Sequence, residues 1–428
     1  MVGVGLKDVL KAKEHLSAKF LGQEVHVLEV SRDVEGVVAV GVTTYSSGEV
    51  GLPPEYSDEL VVFVGVVKED VKVLKRLPAS VGGVKVVAIP VGRPVVLSVL
   101  DKSESLLTRV SKVRPVLGGV SVGAVGVTAG TLGCVVYDAS TGEPLILTNT
   151  HVGFPDWGEC KIGLELEKKY GKLPVLQPGL YDIFMFGPVE DRIGVMCYEN
   201  EKCGAVCETL QDYVLNKYLI GYACRHVRVY SPNESGQPGA GKGRNLVDAA
   251  LVRPVSPDIV KPDILGIGVP GPAVPADAHV IGRPVIKSGR TTGVTCGVVS
   301  AIHVDVKVWE SDTNYAIFVD QILIKSDTAP FARGGDSGSV VLLKERWPDG
   351  TYKTLGLLFA GSASKVDGKW IAMANTATNV EKLLNIRFGP PAKALKVPTE
   401  TSIKSALRGV AVTVAGALAT VWVTKTMK

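Results

Sequence analysis

Three segments of the chain carry residue types that act together in acyl transfer. In Leu147-Thr148-Asn149-Thr150-His151-Val152, an apolar strand ends in polar residues and presents a histidine. In Asn245-Leu246-Val247-Asp248-Ala249-Ala250-Leu251-Val252, one aspartate sits inside an apolar run, where a lone carboxylate is costly unless something pairs with it. In Gly334-Gly335-Asp336-Ser337-Gly338-Ser339, glycines flank a serine, so the backbone can turn sharply and aim the hydroxyl and nearby N–H groups at one point. In the division of labour these types allow, Ser337 is the nucleophile. His151 takes its proton and later gives it to the leaving amine, while Asp248 holds the imidazole tautomer and stabilises its cation. The N–H groups of Gly335 and Ser337 form the oxyanion hole, where one such donor is worth roughly 3 kcal/mol in the transition state. Chemistry of this kind needs no cofactor and no metal.

Taken singly the segments differ in strength, the Gly-Asp-Ser-Gly run being stronger than the histidine or the aspartate; their order is a strong signal. Histidine comes first, aspartate 97 residues later (151 to 248) and serine 89 residues after that (248 to 337). The Ser-first order of α/β-hydrolases and the Asp-first order of subtilisins both differ from it. A further stretch, Lys287-Ser288-Gly289-Arg290-Thr291-Thr292-Gly293-Val294-Thr295-Cys296-Gly297, joins the three. With it, the chain resembles the chymotrypsin-like (trypsin-like) serine proteases over about residues 116–390. The closest likeness is to the bacterial alpha-lytic protease branch and related prokaryotic trypsin-like peptidases. The Ser-Gly-Arg-Thr-Thr-Gly run with its following Cys-Gly is similar to the strand pair that opens the second barrel in that branch. The segment 356–362 lies where the family's substrate-binding strand follows the serine.

The resemblance implies two six-stranded β-barrels with the triad at their interface, a final helix, and hydrolysis of protein or peptide substrates through an acyl-enzyme. It places Phe331, Ala332, Phe359, Ala360 and Gly361 around the pocket for the residue before the cut. Phe331 lies six residues before Ser337, where cleavage after Arg or Lys would call for an acidic group, so a small or apolar side chain is expected there. The chain departs from the branch at three places. Ile286 stands where the branch has a cysteine, which leaves Cys296 without the implied disulfide partner. Phe359 replaces a serine beside the aspartate, which removes one supporting hydrogen bond from Asp248. Ser339 replaces a commoner glycine.

The elements that must position these residues are mainly β. Valine-rich runs are broken by 48 Gly and 25 Pro, and aromatics are only 6% of the 428 residues, the pattern of short strands and turns. Residues 1–115 read as a small α+β domain, a helix at 6–19 followed by β-rich runs at 25–31, 37–43, 59–67, 84–92 and 94–100. As a pro-segment, a regulator or a docking module, it would precede a protease-like domain at 116–390. Helices are expected there at 161–170, 206–220 and 378–386, with an insertion at about 155–244. Residues 391–428 form a linker and an apolar tail whose run at 409–423 falls short of the roughly 20 residues a membrane span needs. Docking of 406–423 on the body or a partner subunit is therefore favoured over membrane contact.

Composition excludes some classes. With 46% hydrophobic and 21% charged residues the chain is not generally disordered. A net charge of +4, from 47 basic and 43 acidic residues with no dense basic run, points away from nucleic acid. The charged N-terminus lacks an apolar signal-peptide core, so a cytoplasmic location is expected, with the tail as the attachment to a membrane or particle. Seven cysteines do not make a disulfide-dense scaffold. Cys197, Cys203, Cys207 and Cys224, with His226 nearby, read as free thiols or one or two disulfides, with zinc as the less favoured use because the spacings are not those of C-x2-C pairs. His15, His26, His279 and His303 read as surface or packing residues. A second class stays open beside the peptidase: a protease-fold structural or binding component of a particle, filament or membrane-associated assembly, able to process itself.

Overall fold

β-Branched residues and short turns give this chain strands far more than helices, as a computed structural model of it shows. Described are residues 5–21, 36–46, 48–68, 71–96, 107–209, 211–310, 314–362 and 364–390. The described residues all fall in one compact unit, 1–390; the expected run at 25–31, the end of the run at 94–100 and the tail at 391–428 lie outside them.

Six strands on the serine side pair in a closed cycle. Pro284–Gly289 pairs with Gly293–Trp309, which pairs with Tyr315–Ser326. That strand pairs with Trp370–Thr376, which pairs with Tyr352–Ser362, then Val340–Arg346, and so back to Pro284–Gly289. Ile286 lies directly opposite Cys296 in the first of these hairpins, and Cys296 is a free thiol. The histidine side is an eight-stranded path rather than a named cycle. It runs from Ile386–Arg387 through Cys134–Asp138, Pro144–Thr148, Ala250–Pro254, Leu219–His226, Pro174–Leu176 and Ser121–Ala124 to Gly130–Thr131. Both sides bury aliphatic cores, Val122, Leu132, Ile146 and Ile220 on the histidine side and Val299, Ile322, Ile324 and Leu358 on the serine side.

Strands before residue 115 pair with strands after it. Val37–Ser46 pairs antiparallel with the long strand Gly293–Trp309 and with Glu59–Val66, which pairs parallel with Val84–Pro90. The N-terminal strands thus extend the serine-side sheet. The helix Leu6–Phe20 closes over them because Val9, Leu16 and Phe20 recur at helical spacing and are fully buried. It is tied down by Lys13 Nζ, 2.5 Å from Asp305 Oδ1, and by the Ser17 hydroxyl, which donates to Asp305 Oδ2 at 2.6 Å.

The helices Ile162–Tyr170 and Ala377–Leu384 fall where expected. The third expectation, 206–220, is corrected. Gly204–Thr209 is a strand paired with Val195–Asn200, only Asp212–Tyr218 is helical, and Leu219 opens the next strand. Cys197 sits opposite Cys207 in that hairpin and is disulfide-bonded to it, a cross-strand constraint incompatible with a helix there. A second disulfide joins Cys203 to Cys160, a partner the sequence reading did not consider; Cys224 is free.

Candidate active site

Strand pairing brings the histidine and the aspartate together. Pro144–Thr148 and Ala250–Pro254 are antiparallel neighbours with Thr148 opposite Ala250, so His151, just past the end of the first, meets Asp248, just before the second. A short helix, Thr150–Gly153, carries His151. Its entry is fixed by the Thr150 hydroxyl, which lies 2.9 Å from the carbonyls of Val227 and Ala249, and by Asn149 Nδ2, which donates to the Asp248 carbonyl at 2.6 Å.

Asp248 is fully buried, and its carboxylate is well supplied with donors. Oδ2 lies 2.5 Å from His151 Nδ1, and Oδ1 accepts from the N–H groups of Thr150 (2.7 Å) and His151 (3.3 Å). The Asp248 N–H donates to Asn375 Oδ1 at 3.1 Å. This arrangement offsets the cost of burying the charge, and puts the imidazole proton on Nδ1 with Nε2 free to act as base. Phe359, standing where the resembled family has a serine, packs on Phe318 with ring centroids 4.6 Å apart and gives Asp248 no side-chain donor.

The serine sits in a tight turn between the two sides. Gly335 and Gly338 adopt φ of +90° and +95°. A Cβ at Gly338 would come within 2.2 Å of the Thr131 carbonyl oxygen, so the residue after Ser337 must be glycine. The Thr131 hydroxyl donates to the Gly335 carbonyl and the Thr131 N–H to the Ser337 carbonyl, both at 2.8 Å. With these carbonyls turned away, the N–H groups of Gly335 and Ser337 make no backbone hydrogen bond among the described residues. Ser337 Oγ donates to the Phe359 carbonyl at 3.3 Å, while His151 Nε2 is buried without a hydrogen-bond partner among the described residues.

Behind the serine, Asp336 welds the turn to the hairpin 287–293. Its carboxylate accepts from the N–H groups of Thr291, Thr292 and Arg333 and from the Thr292 hydroxyl, and lies 3.3 Å from Lys287 Nζ. Next to it, Arg290 forms a buried two-pronged pair with Asp182 on the histidine side.

Three neighbours of His151 and Asp248 had no signal in the sequence. Trp157 stands edge-on to His151, centroids 6.3 Å apart, with its buried indole N–H unpaired among the described residues. Glu310 shares a cavity of about 560 Å³ with His151, Trp157 and Tyr181. Its carboxyl is pushed up to about 8, first by burial, then by the charge of Asp248, against the Asn314 amide that donates to it at 2.7 Å. Asn375 is the third, through its amide oxygen on the Asp248 N–H. The five expected pocket residues are all buried, but they diverge. Phe331 and Ala332 join the cluster around Val299 and Ile324, while Phe359 and Ala360 join that of Phe318 and Leu323.

Residues 258–382 match the family profile described as the Nal1 C-terminal domain, a stretch holding Ser337 but neither His151 nor Asp248. No curated protein matches the sequence. Among solved structures, the chain is similar to Thermobifida fusca protease A at 16% identity, over 64% of this chain and 98% of that one, with a TM-score of 0.36. It is similar also to Nocardiopsis protease (16%, 64% and 98%, TM-score 0.35) and to Cellulomonas bogoriensis chymotrypsin (16%, 64% and 99%, TM-score 0.35).

Proposed function

We propose that this chain is a serine endopeptidase, with His151, Asp248 and Ser337 as its triad and the N–H groups of Gly335 and Ser337 as its oxyanion hole. The observation that carries the reading is the buried Asp248 carboxylate 2.5 Å from His151 Nδ1, with Nε2 buried and unpartnered among the described residues. In the reaction, Ser337 Oγ attacks the scissile carbonyl and gives its proton to His151 Nε2, and Asp248 stabilises the imidazolium. The tetrahedral oxyanion meets the two N–H groups. His151 then protonates the leaving amine, and a water molecule, deprotonated by the same nitrogen, releases the acyl group. Substrates are proteins or peptides, cut after a small or apolar residue. The proposed location is the cytoplasm, with 406–423 as a contact to a membrane or partner subunit.

Hydrolysis of a peptide library by wild type and Ser337→Ala tests this. Cleavage that vanishes in Ser337→Ala and clusters after apolar residues supports the reading. Equal hydrolysis by both proteins sinks it, and a profile dominated by Arg and Lys sinks the pocket.

The second reading, a protease-fold component of an assembly, is favoured by one contact: the Ser337 hydroxyl donates to Phe359 rather than to His151.

A further inference from the structure

The sheet edge beside the nucleophile is already filled by the chain's own backbone. The strand Tyr352–Ser362 keeps its neighbour Val340–Arg346 only as far as Leu357, which pairs with Val340. Past that point, Pro94–Val96 takes over the edge. It runs antiparallel, with Ser362 opposite Pro94, Gly361 opposite Val95 and Ala360 opposite Val96. The next residue along, Phe359, carries the carbonyl that accepts from Ser337 Oγ. Each step from Pro94 to Val96 therefore brings the short strand one residue closer to the nucleophile. Val96 also lines the cavity that holds His151 and Glu310. On its other side the segment pairs with the long strand, Val95 against Trp309. This is how an extended peptide adds to an exposed sheet edge: main-chain hydrogen bonds hold it, and alternate side chains meet the flanking surfaces.

The resemblance puts the peptide-binding strand of this site at 356–362; we propose that Pro94–Val96 occupies the slot along its edge, Ala360–Ser362, as a competitor built into the chain. The inference rests on the serine-peptidase reading and names the ligand and regulation of that same site. The occupant defines the ligand class: an extended peptide bound chiefly through its backbone, with small or β-branched apolar side chains such as Pro-Val-Val. A tethered competitor acts at an effective concentration on the order of millimolar. The apparent affinity for free peptide falls by the fraction of molecules whose slot is open. Peptide binding along this edge thus depends on release of the segment, and the N-terminal strands, paired into the same sheet, hold it in place.

The test uses the full chain and two readouts. The combined variant Pro94→Gly, Val95→Ser, Val96→Gly is compared with wild type for Ser337 labelling by a small fluorophosphonate and for KM on a fluorogenic peptide of six residues. The slot predicts labelling rates within about twofold of each other, because the probe does not need the edge. It predicts at least a tenfold fall in KM in the variant, and competitive inhibition of that variant by acetyl-Val-Gly-Arg-Pro-Val-Val-amide. The single variant Val95→Asn, which keeps the backbone and most of the volume, is expected to lower KM less, in the same direction. If both proteins label and KM is unchanged in both variants, the slot assignment is overturned and the peptidase reading stands. If neither protein labels, the peptidase reading falls and takes this inference with it.

Discussion

A double-mutant cycle on Lys287 and Asp336 reports on the support of the turn that carries Ser337. Both side chains are fully buried, with Lys287 Nζ 3.3 Å from Asp336 Oδ2. Burial pushes the Lys287 pKa down, and the Asp336 charge opposes it. Breaking a buried pair by removing one partner costs about 3–5 kcal/mol, because a charge is left uncompensated. The two singles differ in what remains. In Lys287→Met, Asp336 keeps the N–H groups of Thr291, Thr292 and Arg333 and the Thr292 hydroxyl, so the loss is expected at the lower end, about 3 kcal/mol. In Asp336→Asn, the ammonium keeps only the Thr292 hydroxyl and the Gly293 carbonyl and has no counter-charge, so about 5 kcal/mol is expected. The double variant buries no charge here and should cost less than the sum of the singles by at least about 2 kcal/mol. Urea unfolding followed by tryptophan fluorescence gives the three values from midpoint shifts at a common slope. Additive singles, or singles below about 1 kcal/mol, refute the claim that this pair braces the turn. Asp336→Asn also frees the Arg333 N–H that anchors the turn, so its kcat should fall with little change in KM.

Other outcomes follow from the same contacts. Asp248→Asn puts an amide opposite His151 Nδ1 and favours the wrong tautomer, so kcat is expected to drop on the order of 10⁴-fold with the fold intact, measured on a peptide substrate. Glu310 titrates near 8 when folded and near its ordinary 4.5 when unfolded. Between those values the folded chain holds a proton the unfolded chain has lost, so stability falls as pH rises through that window. For this partly exposed side chain the loss is roughly 2–3 kcal/mol, about half the full shift at 1.4 kcal/mol per pH unit. Glu310→Gln should remove that slope, and an advantage over wild type that stays flat from pH 5 to 8 would contradict it. The Cys160–Cys203 and Cys197–Cys207 bonds span separations of 43 and 10 residues. Chain entropy gives about 4 and about 3 kcal/mol for them. Cys160→Ser should therefore lower the thermal midpoint more than Cys197→Ser, and the reverse ranking would count against the loop-length account.

His151, Asp248 and Ser337 were legible as candidates because each sits in a contiguous stretch with its own local signature: a strand end, an aspartate in an apolar run, a serine between glycines. Three of the four expected helices, 6–19, 161–170 and 378–386, and the strands at 37–43, 59–67 and 84–92 were legible from helical spacing and β-branched runs. Trp157, Glu310 and Asn375 were not, since each joins the site only through tertiary contact and lies in a segment with no pattern of its own. The 206–220 segment misled because a seven-residue helix lies between two strands, and periodicity over so short a span does not resolve the ends. The pairing of Val37–Ser46 with residues more than 250 positions away was not legible, because no local window holds that information.

The central claim is that Ser337 is a nucleophile activated by His151 and Asp248. Incubating the full chain with a fluorophosphonate and locating the adduct by peptide mass mapping tests it most directly. The account predicts one stoichiometric adduct on Ser337, slowed by orders of magnitude in His151→Ala and Asp248→Asn. No adduct in folded protein, or equal labelling with and without the histidine, would contradict it.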